Sequence, residues 1–181
     1  MSKPNNLPPS GIGEASKYNF SPWYIKLRFD DKSPIKGRRW NEATKPLSPI
    51  QSRVGNKFEE EIYDYLDNLV YENVSEWYDW GSGKNRDQFI QKAREVSNRD
   101  KDSMPTILTQ ARLSGTVGEF DITGDSDLVI LFPKKDNSVG IHVIDIKSSW
   151  DEKPSQQLQT ATYTLLVRKM FREVNLECDI T

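Results

Sequence analysis

Two short apolar runs, Leu128 to Phe132 and Ile141 to Ile146, flank the polar string Lys134-Lys135-Asp136-Asn137-Ser138. Both runs are rich in β-branched residues and the string between them is made of turn formers, which predicts a buried β-hairpin. Whatever else the chain does, it has to cover that hairpin.

Carboxylates stand where a buried hairpin should not want them. Asp127 opens the first strand, while Asp145 and Lys147 lie two apart on the second. The period of two puts Asp145 and Lys147 on one face and Ile144 and Ile146 on the other. An unpaired acid or lysine in an apolar setting costs on the order of several kcal/mol unless a metal, a partner or water compensates it. The cost marks a candidate site.

Helical signals bracket the hairpin. Ser48 as N-cap, Pro49 as first helical residue and Gln51 three after the cap predict a helix start, and Val54, Phe58, Ile62, Tyr65, Leu66 and Leu69 follow at helical spacing. Glu59, Glu60 and Glu61 sit within it. At 100° per residue Glu60 points away from the apolar stripe, and Glu59 and Glu61 flank it on opposite sides. Gly55, one turn earlier, leaves room beside Glu59, although all three glutamates also suit plain solvation.

A second helix is expected from Arg86 to about Asn98 on Phe89, Ile90, Ala93 and Val96, and a last one from Pro154 to about Arg172 on Leu158, Ala161, Leu165 and Met170. Gln159 and Tyr163 lie one turn apart on that last helix. Ile107 to Leu113 and Thr116 to Ile122 read as strands with Gly115, Gly118 and Gly124 as bends, and Val174 to Thr181 as the start of another. The order predicts an α+β, three-layer arrangement. Trp77, Tyr78 and Trp80 in the irregular stretch from Tyr71 to Gly83 are read as packing residues.

The first 20 residues, with Pro4, Pro8, Pro9, Gly11 and Gly13, show no periodicity and read as a flexible or loosely docked leader. Charge is uneven: residues 1–57 hold 11 Lys and Arg against 4 Asp and Glu, and the remainder 14 against 23. Lys26, Arg28, Lys32, Lys36, Arg38, Arg39, Lys45, Arg53 and Lys57 are interleaved with Trp23, Tyr24, Phe29 and Trp40. Such a segment suits a phosphate backbone with stacked bases. It equally suits a solvated arm anchored by its aromatics. The division expected is 1–47 as a basic, partly flexible segment and 48–181 as the core.

Several chemistries are excluded. The single cysteine, Cys178, forms neither a disulfide framework nor a four-cysteine cluster within one chain. The single histidine, His142, excludes multi-histidine metal sites and reads as a packed or hydrogen-bonded strand residue. No apolar run approaches the length of a membrane span, and the N-terminus lacks the apolar core of a secretory signal, so a cytoplasmic protein without a membrane partner is expected.

Gly124-x-x-Asp127 entering one strand, Asp145-x-Lys147 on the next, a helix carrying Gln159-Thr160-Ala161-Thr162-Tyr163, and Gly55-x-x-Phe58-Glu59 upstream resemble the RecB-like exonuclease branch of the PD-(D/E)XK nuclease superfamily. CRISPR-adaptation nucleases are among that branch's members. The resemblance implies a restriction-endonuclease-like core, a mixed central sheet flanked by helices, over about residues 48–172. It further implies a metal-dependent DNA nuclease, acting on single strands or free ends in repair, recombination or defence. Asp127, Asp145, the backbone carbonyl of Ile146 and Glu59 would hold Mg²⁺, with Mn²⁺ as substitute. Lys147 would serve the attacking water or the phosphate, and Gln159 and Tyr163 would position the site. Asp125, two before Asp127, is the residue most easily mistaken for the ligand, and Glu119 and Asp121 read as edge or turn groups. Arg38, Arg39, Arg53 and Lys57 are the candidate DNA contacts. Relatives often carry an iron–sulfur cluster, which this chain's single cysteine does not support, and they continue beyond the last residue here, which implies a fragment. A helicase or recombination protein is the implied partner, oligomeric state is left open, and a catalytically weak DNA-binding module of the same fold is the alternative.

Overall fold

A computed structural model describes residues 7–17, 19–20, 49–71, 76–79, 86–118, 120–147 and 153–181. In chain order the elements are α1 (Pro9–Ser16), α2 (Pro49–Tyr71), β1 (Glu76–Asp79), α3 (Arg86–Ser97), β2 (Thr106–Val117), β3 (Phe120–Pro133), β4 (Val139–Ile144), α4 (Pro154–Glu173) and β5 (Cys178–Ile180). The strands form one mixed sheet in the order β1-β2-β3-β4-β5. β1 runs parallel to β2 and β5 parallel to β4, while β2, β3 and β4 form an antiparallel meander.

Two apolar layers sandwich this sheet. On one face Phe89, Ala93 and Val96 of α3 and Leu166, Val167, Met170 and Phe171 of α4 pack on Leu108, Val129, Leu131, Ile141 and Val143. Phe89 and Phe171 meet at a ring-centre distance of 5.5 Å, joining the two helices over the sheet. On the other face α2 sets Leu66, with Ile62, Tyr63 and Leu69 beside it, against Ile107, Leu128, Ile130 and Ile146. This is the α+β, three-layer arrangement expected, with the hairpin at its centre.

The hairpin is covered, but its borders differ from the expected ones. Thr116 to Ile122 is not a separate strand: it straddles the β2–β3 turn, where Gly118 has a φ of 60°, and β3 then runs unbroken through Gly124 to Pro133. Gly115 and Gly124 lie within strands, paired with Ile122 and Leu113. Asp145 and Lys147 lie just past the end of β4, outside any regular element. On α2, Val54, Phe58 and Tyr65 are exposed, so the packed stripe is narrower than the spacing implied. Ser48, Trp80, Glu119 and the side chains of Gln51, Trp77 and Tyr78 lie outside the described residues.

The leader contains a helix that its lack of periodicity hid. Pro9, Gly11, Gly13 and Ala15 of α1 are buried, and Leu7 donates its N–H to the Asp121 carbonyl at 2.8 Å. Small residues, not an apolar stripe, make this contact. A β-carbon on Gly13 would lie 2.3 Å from the Ser155 carbonyl oxygen, so α1 and the start of α4 touch backbone to backbone.

Candidate active site

Asp127, Asp145, Lys147 and Gln159 meet where the middle of β3, the chain leaving β4 and the first turns of α4 come together. Asp127 Oδ2 accepts the main-chain N–H of Ile146 at 2.7 Å, which ties the middle of β3 to the chain leaving β4. Lys147 Nζ donates to Asp145 Oδ1 at 2.8 Å and lies 3.8 Å from Asp127 Oδ2. Gln159 Nε2 donates to the same Asp145 oxygen at 3.1 Å. Tyr163, one turn along α4, donates its hydroxyl to the Asp125 carbonyl at 2.7 Å. Two helical residues thus brace β3 and the chain leaving β4, which carry the carboxylates.

Side-chain direction at Asp127 depends on a defect in the ladder. Leu108 and Ala111 both enter the α3/α4 core although they are three apart, so alternation on β2 slips between them. The slip falls at Gln110, a left-handed residue with a φ of 53°. The register runs from Thr109 opposite Leu128 to Ala111 opposite Ser126, which sets Gln110 across from Asp127. On β3 the facing also changes between Gly124, whose missing side chain points at Pro9 and Tyr163, and Leu128, which faces α2. A left-handed non-glycine residue in mid-strand costs on the order of 1–3 kcal/mol and persists only where the surroundings impose it. Here it faces the acid at the centre of the cluster.

The electrostatics are unbalanced. The Asp145 side chain is 3% exposed and that of Asp127 20%. Burial raises Asp127 to about 6, with the Asp145 charge and a side-chain hydrogen bond shared with Asp145 adding to the rise while Lys147 and the Ile146 N–H oppose it. Asp145 Oδ2 is buried without a hydrogen-bond partner. A bare buried carboxylate oxygen is unfavourable by about 1–3 kcal/mol or more, and such groups in native proteins have a reason. Two carboxylates and the nearby Ile146 carbonyl are hard oxygen donors of the type that Mg²⁺ and Mn²⁺ take. The donor set fits a hard divalent ion, although the described residues contain no cluster of three or more acidic, histidine or cysteine side chains.

Burial also pushes the Tyr163 phenol up to about 12, so it stays protonated and serves as a donor. Asp125 is turned to Arg112, whose Nε stands 2.7 Å from Oδ1 without hydrogen-bond alignment. Asp121 accepts the Thr116 hydroxyl at 2.8 Å. His142 stacks on Phe132 and hydrogen-bonds Thr181, so the lone histidine is structural.

Glu59 is not drawn into the cluster by any hydrogen bond or ion pair among the described residues. It is half-buried where Glu60 and Glu61 are exposed, and Glu61 pairs with Lys57 at 3.7 Å. Helical spacing puts Glu59 on the face of Ile62, Tyr63 and Leu66, one turn before the residues packed on Ile146. Arg53 and Lys57 are exposed on α2, and Arg38 and Arg39 lie outside the described residues. Gln110 escaped the sequence reading altogether, since a left-handed strand residue other than Gly, Asn or Asp carries no signal in composition.

Comparison with curated proteins and with solved structures gives no match. A family model described as the PD-(D/E)XK nuclease superfamily matches residues 42–177, which span α2 to the approach of β5 and include Asp127, Asp145 and Lys147. With the match covering most of the chain, and an Asp and an Asp-x-Lys brought together at the end of a mixed sheet, the chain belongs to the PD-(D/E)XK nuclease superfamily.

Proposed function

We propose that the protein is a divalent-metal-dependent deoxyribonuclease that hydrolyses phosphodiester bonds from DNA ends or in single strands, inside the cell, in repair, recombination or defence. The RecB-like branch is the likeness behind the end-dependent part of that reading. One observation supports the metal-dependent part above the rest: Asp145 Oδ2, buried and without a partner, beside a second carboxylate that burial already disfavours as an anion.

Asp127 and Asp145, with the Ile146 carbonyl, are the residues that would hold the ion, and Glu59 on α2 is the further carboxylate that would serve it, as a ligand, by holding one of its waters or by seating a second ion. A bound Mg²⁺ or Mn²⁺ supplies a more acidic water and charge neutralisation at the phosphate. Lys147 directs its ammonium to the attacking water or to a phosphate oxygen, where developing negative charge strengthens the contact. Gln159 holds the Asp145 carboxylate in place and Tyr163 holds the Asp125–Asp127 segment.

Cleavage of end-labelled linear and closed-circular DNA, single- and double-stranded, with Mg²⁺, Mn²⁺ or EDTA tests the reading. Metal-dependent cutting by the parent, lost in Lys147→Ala, is the expected result, with circular DNA resistant. A folded parent that binds DNA and cuts none of these substrates would instead favour a DNA-binding module, recruiting a helicase or recombination protein.

A further inference from the structure

We propose that the cleft between α1 and the start of α4 binds the phosphodiester backbone of a single nucleic-acid strand as it leaves the candidate active site. The inference deepens the nuclease reading and rests on it for the identity of the ligand.

The cleft has a volume of about 350 Å³ and is lined by Ser10, Glu14 and Lys17 from the α1 side and by Lys153, Ser155 and Gln159 from the α4 side. Gln159 is common to the cleft and to the carboxylate cluster, where it holds Asp145. A strand engaged at Asp145 therefore reaches the cleft within a step of one residue's side chain. Lys17 and Lys153 form no ion pair among the described residues and are exposed, whereas Glu14 already has a partner. The wall thus offers two ammonium groups and two hydroxyls, the donors a phosphate oxygen takes.

Size selects the ligand further. Clefts for small ligands run from about 300 to 1,000 Å³, so this one admits about one nucleotide unit and no base-paired duplex. Among the described residues its walls are polar and carry no aromatic ring, which favours backbone over base contact. α1 lies outside residues 42–177, which match the superfamily model, so this wall comes from a part of the chain that the match does not cover.

The test measures binding without chemistry. Fluorescence anisotropy of a labelled single-stranded DNA 20-mer, in EDTA and across a salt series, compares the parent with Lys17→Ala/Lys153→Ala and with a control, Lys101→Ala/Lys135→Ala, at exposed lysines elsewhere. The cleft variant is expected to bind about tenfold more weakly at low salt and to lose about one unit or more from the log–log salt slope, the control matching the parent. Circular dichroism confirms that both variants fold. Equal affinity and slope for the parent and the cleft variant would overturn the proposal. So would equal loss in the control. If the parent binds but never cleaves, the nuclease reading fails while the cleft is still judged on the same curves.

Discussion

Gln159 reaches from α4 to Asp145 Oδ1, the oxygen that also receives the Lys147 ammonium, and leaves Oδ2 of the same carboxylate without a partner. One oxygen is committed to orientation and the other is free for a ligand. The helix thereby decides which way the carboxylate presents itself.

Gln159→Ala should therefore loosen Asp145 without removing any charge. The loss of a hydrogen bond to an ionised group is worth about 1.5–3 kcal/mol, so kcat should fall roughly 10- to 100-fold. KM should change little if the role is positioning. Steady-state kinetics on a single-stranded substrate reads both constants, and a rise in KM alone would assign Gln159 to substrate binding.

Divalent ions should stabilise the folded chain. At 100 times the dissociation constant the gain is about 2.7 kcal/mol, which for a chain of this size raises Tm by roughly 5–10 °C. Asp145→Asn should abolish the shift because it removes the charge beside the unpartnered oxygen. Differential scanning fluorimetry with Mg²⁺, Mn²⁺ and EDTA checks this, and identical melting in all three for the parent would dismiss the metal site.

Stability of the metal-free protein should fall as pH rises from about 4 to about 6. Asp127 is raised from 3.8 to about 6 mainly by burial, so within that window the folded chain keeps a proton that the unfolded chain has released. The full shift corresponds to about 3 kcal/mol, reduced by solvent screening to about 1–2 kcal/mol. Asp127→Asn keeps an oxygen to accept the Ile146 N–H and should be more stable than the parent by that amount at pH 8, the two converging below about pH 4. Urea unfolding in EDTA at each pH measures the gap, and a parent as stable as the variant at pH 8 would contradict it.

Gly124→Ala should disturb the site from outside it. A β-carbon there would lie 2.6 Å from Pro9 Cδ and 3.3 Å from Tyr163 Cε1. Either α1 lifts or Tyr163 shifts away from the Asp125 carbonyl. Overpacking of this kind destabilises by about 1–3 kcal/mol. Chemical denaturation gives the loss, and an unchanged midpoint would mean that α1 is not clamped against β3.

Regular elements were legible in the sequence because their signals are local. The Phe89, Ile90, Ala93, Val96 stripe gave α3 to within a residue of its end, and Pro154 gave the start of α4. β-branched runs around a polar turn gave the hairpin, and the spacing of Asp127, Asp145 and Lys147 gave the cluster that the fold assembles. The small-residue helix α1 was invisible, since Gly11 and Gly13 pack by close approach and leave no apolar stripe.

From sequence alone came the acids, the lysine, the strands beside them and the superfamily. The direction of Asp127 came only from tertiary structure, because alternation by two fails at the slip opposite Gln110, and no sequence period encodes a left-handed residue in mid-strand. The partners of each Asp145 oxygen were likewise set by the packing of α4 on the sheet. Spacing along a chain fixes which residues share an element. Which atoms meet is fixed where elements pack, and there the free valence of a buried carboxylate is decided.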